Sequence, residues 1–215
     1  IPCRVKDYVF SNINVGQYEK VAAGHNAAFS EIWWFYPSAA SSENDRYVVY
    51  NYAQDVWYYG TLSRTAWIDR GTYNYPLAAC SSGCVFYHEF GLNDGSLNPS
   101  VAINAYIESS AVDIAEGDQF MFANRLIPDI TFRNSTGTPL ATFTLKAKNF
   151  PGGSLFGDDA TNTVRSTTVP IEQFTTQTFV RIRGRALALR VESDQRNTTW
   201  RLGVPRVDIR TDGRR

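Results

Sequence analysis

Ten arginines and four carboxylates lie between Gln177 and Arg215. An arginine carries a planar fork of N–H donors that pairs bidentately with a carboxylate or a phosphate. The stretch therefore offers ion pairing or contact with a polyanion. Spacing says how the chain would present it. Within residues 178–191, Phe179, Arg181, Arg183 and Arg185 share one parity, and Val180, Ile182, Ala186 and Ala188 share the other. That alternation predicts a strand with one buried face and one arginine face, and Gly184 is expected to mark a bulge. Arg181, Arg183, Arg185 and Arg190, with Arg214 and Arg215, are the candidate interface or channel residues; Arg201, Arg206 and Arg210 extend the set. Two uses compete. One is non-specific contact with nucleic-acid phosphates. The other is salt bridging between subunits, with Glu192, Asp194, Asp208 and Asp212 as ready partners.

Residue types for bond-making chemistry are sparse. The chain has two histidines, His25 and His88. His88 adjoins Glu89 in VFYHEFG, but neighbours on a strand point to opposite faces and cannot act on one atom without distortion. No second histidine follows at the spacing of a zinc-protease helix. Glu31, Glu43, Asp45, Asp69, Glu89 and Asp94 could supply the carboxylate pair of a glycosidase, which must sit roughly 5–9.5 Å apart across a cleft. Asn93-Asp94-Gly95-Ser96 and Gly157-Asp158-Asp159 lack the ligand spacing of a calcium loop and read as turns. No phosphate loop, nucleophile elbow or Ser/His/Asp set is present in the sequence. Cys80 and Cys84 flank Ser81-Ser82-Gly83 as half of a zinc site whose other half is missing. The sequence thus predicts no catalytic residue, no metal and no cofactor. Three cysteines with one close pair are not a disulfide framework, and folding in a reducing cytosol is the simpler reading.

The third chemistry on offer is aromatic. RYVVYNYAQDVWYYG follows closely on EIWWFYPS. Alternation puts Val48, Tyr50 and Tyr52 on one face of their strand and Tyr47, Val49 and Asn51 on the other. Trp57 and Tyr59 likewise oppose Val56 and Tyr58. A stacking platform for bases or sugars would gather exposed rings on one face. Rings on both faces are what a sheet packed between neighbours needs. Packing is the preferred reading over a ligand platform or a subunit interface.

The elements that must carry these residues are strands. Short runs rich in Val, Ile, Tyr, Phe, Trp and Thr alternate with turn clusters, and no segment sustains a 3.6-residue period, so the chain is expected to be all-β. Strands are expected over residues 19–23, 31–36, 46–52 and 56–60, with AGHN as a turn and Ala53-Gln54-Asp55 closing a hairpin. Four such strands make one propeller-type blade of about forty residues. PLAACSSGCVFYHEF echoes KVAAGHNAAFSEIWWFYP, as a second blade would. Beyond GLNDGSLNP the strands lengthen, and a β-sandwich-like region is expected. The predicted domains are 1–99 and 100–215. NFPGGSLFGDDATNT reads as a long exposed loop. With 215 residues and zero formal net charge, the total implies neither a polyanionic nor a polycationic partner. No apolar run approaches the ~20 residues of a membrane span, and the first residues are not those of a signal peptide. The absence of an initiating Met suggests a processed chain or one segment of a longer protein.

EIWWFYPS, ENDRYVVYNY, VWYYGTLSRTAWIDRG, YHEFGLNDGS and AYIESS, and then RGRALALRVESD with WRLGVPRVDIRTDGRR, resemble phrases in the tail proteins of short-tailed, podovirus-like bacteriophages. The resemblance runs from about Val5 to Arg215 and is to the hub or nozzle proteins, also described as packaged-DNA stabilisation proteins. It implies a β-propeller-based ring, expected to be six-fold, below the portal and adaptor rings, which closes the DNA channel until ejection and docks tail fibres. The chain would then be a structural virion protein in the tail, assembled in the host bacterial cytoplasm. It is shorter than such proteins usually are, and corresponds to their C-terminal part. A conduit that must release DNA quickly should avoid a sticky basic wall, so inter-subunit pairing is the preferred use of the arginines, with Arg214-Arg215 as a mobile basic tail. The alternatives are a receptor- or glycan-binding tail module presenting Trp33, Trp34 or Trp57, and a polysaccharide-degrading enzyme.

Overall fold

The computed structural model describes residues 2–96, 99–114, 117–150 and 165–214. Contacts divide the chain into two units, Ile1–Gly91 and Leu92–Arg215. The chain is all-β, built from several antiparallel sheets, none of them closed into a barrel. Two short helical turns precede the first strand: a helix over Lys6–Phe10 and a 3-10 turn over Val15–Lys20, entered where Asn14 Oδ1 accepts from Gly16 N at 3.1 Å.

In the first unit β1 (Ala22–Asn26), β2 (Glu31–Tyr36), β3 (Arg46–Asn51) and β4 (Val56–Thr61) form one sheet in that order. The expected strand at 19–23 is displaced to β1, because AGHN is strand and not turn. Gly24 explains the difference. The Trp67 side chain packs against its backbone so closely that a Cβ there would lie 2.4 Å from Trp67 Cγ. Glycine, read as a breaker, is here a point of close approach. Both faces of the sheet are covered. Tyr36 and Val48 pack with Val9, Trp34 and Trp57 on one side, while Trp33, Phe35 and Val49 pack with Tyr47, Tyr58 and Trp67 on the other. Rings alternate across the strands because the register sets Trp33 opposite Val49 and Val49 opposite Tyr58. The unit ends in a smaller sheet of β5 (Ala66–Ile68), β6 (Leu77–Ala79) and β7 (Val85–Tyr87).

The second unit begins with β8 (Asn93–Asp94) paired to β9 (Val101–Ala102). Next come β10 (Ala105–Glu108), β11 (Val112–Asp113), β12 (Met121–Ile127), β13 (Ile130–Thr131) and β14 (Leu140–Lys148). β15 (Arg165–Glu172), β16 (Thr178–Gly184), β17 (Ala186–Ser193), β18 (Arg201–Leu202) and β19 (Arg206–Thr211) complete it. One sheet has the order β10-β17-β14-β15, with β11 also on β17; another has the order β16-β12-β19; β13 pairs with β18. Met121, Ala123, Leu126, Phe143, Leu145, Ile171, Val180, Ile182, Leu187 and Val191 share a single core between the two larger sheets. Each large side chain fully buried there contributes about 1.5–3 kcal/mol.

Two sequence expectations change here. Residues 178–191 are not one strand with a bulge. Gly184 ends β16 in one sheet and β17 starts at Ala186 in the other, so Arg185 is a corner. Gly184 is required at that corner because a Cβ would lie 2.8 Å from Ala147 Cβ and 3.0 Å from Lys148 O. The parity flips across it: Val180 and Ile182 face the core before the corner, Leu187 and Val191 after it. β15 was not expected at all. Its Pro170, opposite Thr142, is accommodated on the edge strand of the sheet, the place within sheets where proline is tolerated. The loop predicted over NFPGGSLFGDDATNT lies almost wholly outside the described residues.

Candidate interface

The solvent face of the β16-β12-β19 sheet carries Arg181, Arg183 and Arg210 of the predicted arginines. Register places Arg183 opposite Phe122 and Phe122 opposite Arg210. Arg210 sits 4.9 Å from the ring centroid, within range of a cation–π contact. Phe122, Asn124, Phe179, Val180, Arg181 and Arg210 line an open depression of about 430 Å³. It adjoins a second, of about 550 Å³, that includes Arg165, Ser166 and Arg183. Phe179 is 74 % exposed, far more than a core ring. Among the described residues, Arg165 and Arg181 have no ion-pair partner.

The remaining candidates divide into two groups. Arg183 and Arg185 both lie over Phe120, 3.9 and 4.7 Å from its centroid. Arg183 Nε also donates to Asp212 Oδ2 at 2.5 Å. Arg185 donates to the carbonyls of Gly117, Asp118 and Arg214, and Arg214 reaches Asp118 at 3.2 Å. These three bind the chain's last strand to the loop before β12. Arg190 is elsewhere, on the face of the larger sheet turned from the core, between Glu108 and Glu192 and 3.9 Å over Tyr106. Asp208 and Asp212, expected to serve partners in another subunit, are engaged within the chain by Arg125 and Arg183, and Glu192 by Arg190. Arg215 lies outside the described residues.

In the first unit two of the six carboxylates come together. Asn26 Nδ2 donates to Glu31 Oε2 at 3.4 Å and to Glu89 Oε1 at 3.2 Å. Burial, the Glu31 charge next, raises the Glu89 carboxyl pKa, opposed by the Asn26 bond. Such a pair has the elements of acid–base chemistry, but Glu31 is only 8 % exposed, and both its oxygens are occupied by Tyr58 Oη, Trp33 Nε1 and Asn26. Through Asn26 it ties β1 and β2 to the segment after β7. His88 accepts from Arg64 Nε at 2.8 Å, apart from the Glu89 carboxyl. His25 lies between Asp69 and Tyr52, at 3.3 and 3.2 Å, a chain of contacts with no sequence signal because its members come from three separate strand ends. Among the described residues no group of three His, Cys, Asp or Glu side chains could hold a metal ion, and no helix is long and apolar enough to cross a membrane.

One side of the β5-β6-β7 sheet carries Trp67, Ala78 and Phe86 in one row, with Arg64 stacked 4.5 Å over Phe86. The other side is open. Ile68, Leu77 and Tyr87 stand in one cross-strand row, and Ala66, Ala79 and Val85 in the next. Val85 is 66 % and Tyr87 56 % exposed, and Tyr75 and Phe90 extend the patch through edge-on ring contacts. No residue in either row is charged. Sequence reading missed this face because three-residue strands give too little alternation to read.

No protein-family model and no curated protein matches the chain.

Proposed function

We propose that this chain is a structural subunit of a bacteriophage short tail, of the hub or nozzle kind, whose copies pack into a ring around the DNA channel. The observation that carries the assembly is the open face of β5-β6-β7. A sheet side made of Ile68, Leu77, Val85 and Tyr87, without a charge in its rows, is a surface that other protein covers in a working complex. The reading of the partner as further tail protein rests on the long phrases shared with short-tailed phage proteins, among them ENDRYVVYNY and RGRALALRVESD. In that reading β1–β4 and β5–β7 are propeller-type blades, and the second unit is a sandwich-like region. Arg165, Arg181 and Arg210, with Phe122 and Phe179, form a second contact surface, toward a neighbouring subunit or genomic DNA. Portal or adaptor proteins and tail fibres are the further partners, the role is mechanical and not catalytic, and the site of action is the virion tail.

A glycan-binding module is the weaker reading. Trp33 is buried and stacks 5.5 Å from Trp67, and Trp34 stacks on Trp57 at 5.9 Å within a packed cluster. Electron microscopy of the purified chain, with light scattering for mass, tests the proposal. Rings with rotational symmetry, lost in Val85→Asp and Tyr87→Asp, are expected. A strictly monomeric chain with no ring in micrographs overturns it.

A further inference from the structure

Cys80 and Cys84 face each other across the mouth of the β6–β7 hairpin. The ladder pairs Leu77 with Tyr87, Ala78 with Phe86 and Ala79 with Val85, and the next step in that register sets Cys80 against Cys84. The backbone continues the pairing, because Cys80 N donates to Cys84 O at 3.0 Å. Ser81, Ser82 and Gly83 close the turn, with Gly83 at φ +83° and its N–H on Cys80 O at 3.1 Å. Only glycine takes that left-handed conformation cheaply, so the turn length and the register of the two cysteines are fixed together. Directly opposed residues of an antiparallel pair point to the same side and have Cα atoms about 4.5–5.5 Å apart. A disulfide needs about 4.4–6.8 Å.

We propose that Cys80 and Cys84 are a redox-active dithiol that undergoes thiol–disulfide exchange with low-molecular-weight disulfides and closes into a cross-strand disulfide. Both thiols are free; Cys84 is exposed and Cys80 partly so. The two have different roles. Cys80 Sγ lies 2.8 Å from Ser82 Oγ. That hydroxyl holds the Cys80 thiol below its usual pKa despite an opposing burial effect, with smaller help from backbone bonds at Cys84 and Ser82 and the charge of Arg64. Cys80 is the attacking thiolate. It bonds to one sulfur of the small disulfide, whose S–S bond breaks and releases one thiolate that takes a proton from water. Cys84 then loses its proton to solvent and attacks Cys80 Sγ, expelling the second small thiolate. Two electrons pass from the cysteine pair to the small disulfide, which leaves as two thiols. The product staples β6 to the exposed edge strand β7 at the one point where their hydrogen-bonded ladder opens into a turn.

The test uses the full chain with oxidised glutathione as the small disulfide, followed by alkylation, trypsin and mass spectrometry. Residues 71–125 form one tryptic peptide that contains Cys80 and Cys84 and not Cys3, so the pair is read separately. Loss of two hydrogens from that peptide, with loss of both alkylation sites, is expected. In Cys84→Ser the second step is removed, and a stable glutathione adduct should collect on Cys80. In Ser82→Ala the first step should slow by roughly threefold near neutral pH, as a lost hydrogen bond lowers the thiolate fraction and nucleophilicity offsets part of it. Both thiols still alkylated after treatment, or an adduct on wild-type Cys80 that never resolves, overturns the proposal.

Discussion

Arg190 Nη1 donates to Glu108 Oε2 over 3.1 Å, tying β17 to β10 on the side of the sheet turned from the core. Lys146 of β14 meets the same carboxylate at 2.9 Å, and Glu192 takes the other edge of the Arg190 guanidinium. Glu108 is largely shielded from water. Burial pulls its carboxyl pKa upward, but the bonds from Lys146 and Arg190 outweigh that effect and leave it below the ordinary value. A depressed folded-state pKa stabilises the protein above the unfolded pKa, and that contribution is lost as pH falls through the folded value. Glu108→Gln should therefore cost about 1–3 kcal/mol near neutral pH, with the gap to wild type closing in acid. Urea unfolding at a series of pH values reads both; an equal gap at all pH values contradicts the assignment.

Glu89 should behave with the opposite sign. Its raised folded-state pKa gives a contribution that is present in full below the unfolded pKa and disappears as pH rises through the folded one. Glu89→Gln keeps an amide in the carboxyl's place and removes the repulsion from Glu31. Its melting temperature should equal or exceed that of wild type at neutral pH, with the difference closing below about pH 4. A variant less stable at neutral pH than in acid, relative to wild type, would show that Asn26 dominates the site.

Tyr58 Oη donates to the buried Glu31 carboxylate, and burial and that carboxylate push the phenol pKa far above its ordinary value. Tyr58→Phe removes one donor and leaves the shape unchanged. The expected loss is about 1–3 kcal/mol, the penalty for an undersatisfied buried acceptor, measured by chemical denaturation. Double substitution with Glu31→Gln should recover part of it, because the neutral amide asks less of its donors.

Gly184→Ala tests the corner between the two larger sheets. The added methyl meets the Ala147 methyl and a carbonyl of β14 that cannot retreat without breaking ladder bonds. A loss of about 1–3 kcal/mol is expected. Gly137→Ala makes a useful contrast: its strain comes from a φ of +95° alone, with no neighbour within 4 Å.

Phe179→Ser should leave stability within about 0.5 kcal/mol of wild type, since the ring is exposed. If the β16-β12-β19 face is a contact surface, the same change should weaken assembly or DNA retention, seen in sedimentation or gel-shift measurements. An unaltered profile removes this face from the interface.

The alternation of side chains along a strand was sufficient to read β2, β3 and β4 almost to the residue, along with the rings that cover both sides of their sheet. It also separated Val180 and Ile182 from Arg181 and Arg183. Period-two patterning is a local property, so the sequence alone determines it. What the tertiary structure decided were the points where distant backbone meets: Trp67 over Gly24, which turns an apparent break into strand, and Ala147 beside Gly184, which turns an apparent bulge into a change of sheet. It also decided that Pro170 lies at an edge, that Arg183 belongs with Phe120 and Asp212 while Arg190 belongs with Glu108, and that Asn26 joins Glu31 to Glu89. Those partners are set by register between strands far apart in the chain, and one residue of slip would send every one of these side chains to the opposite face.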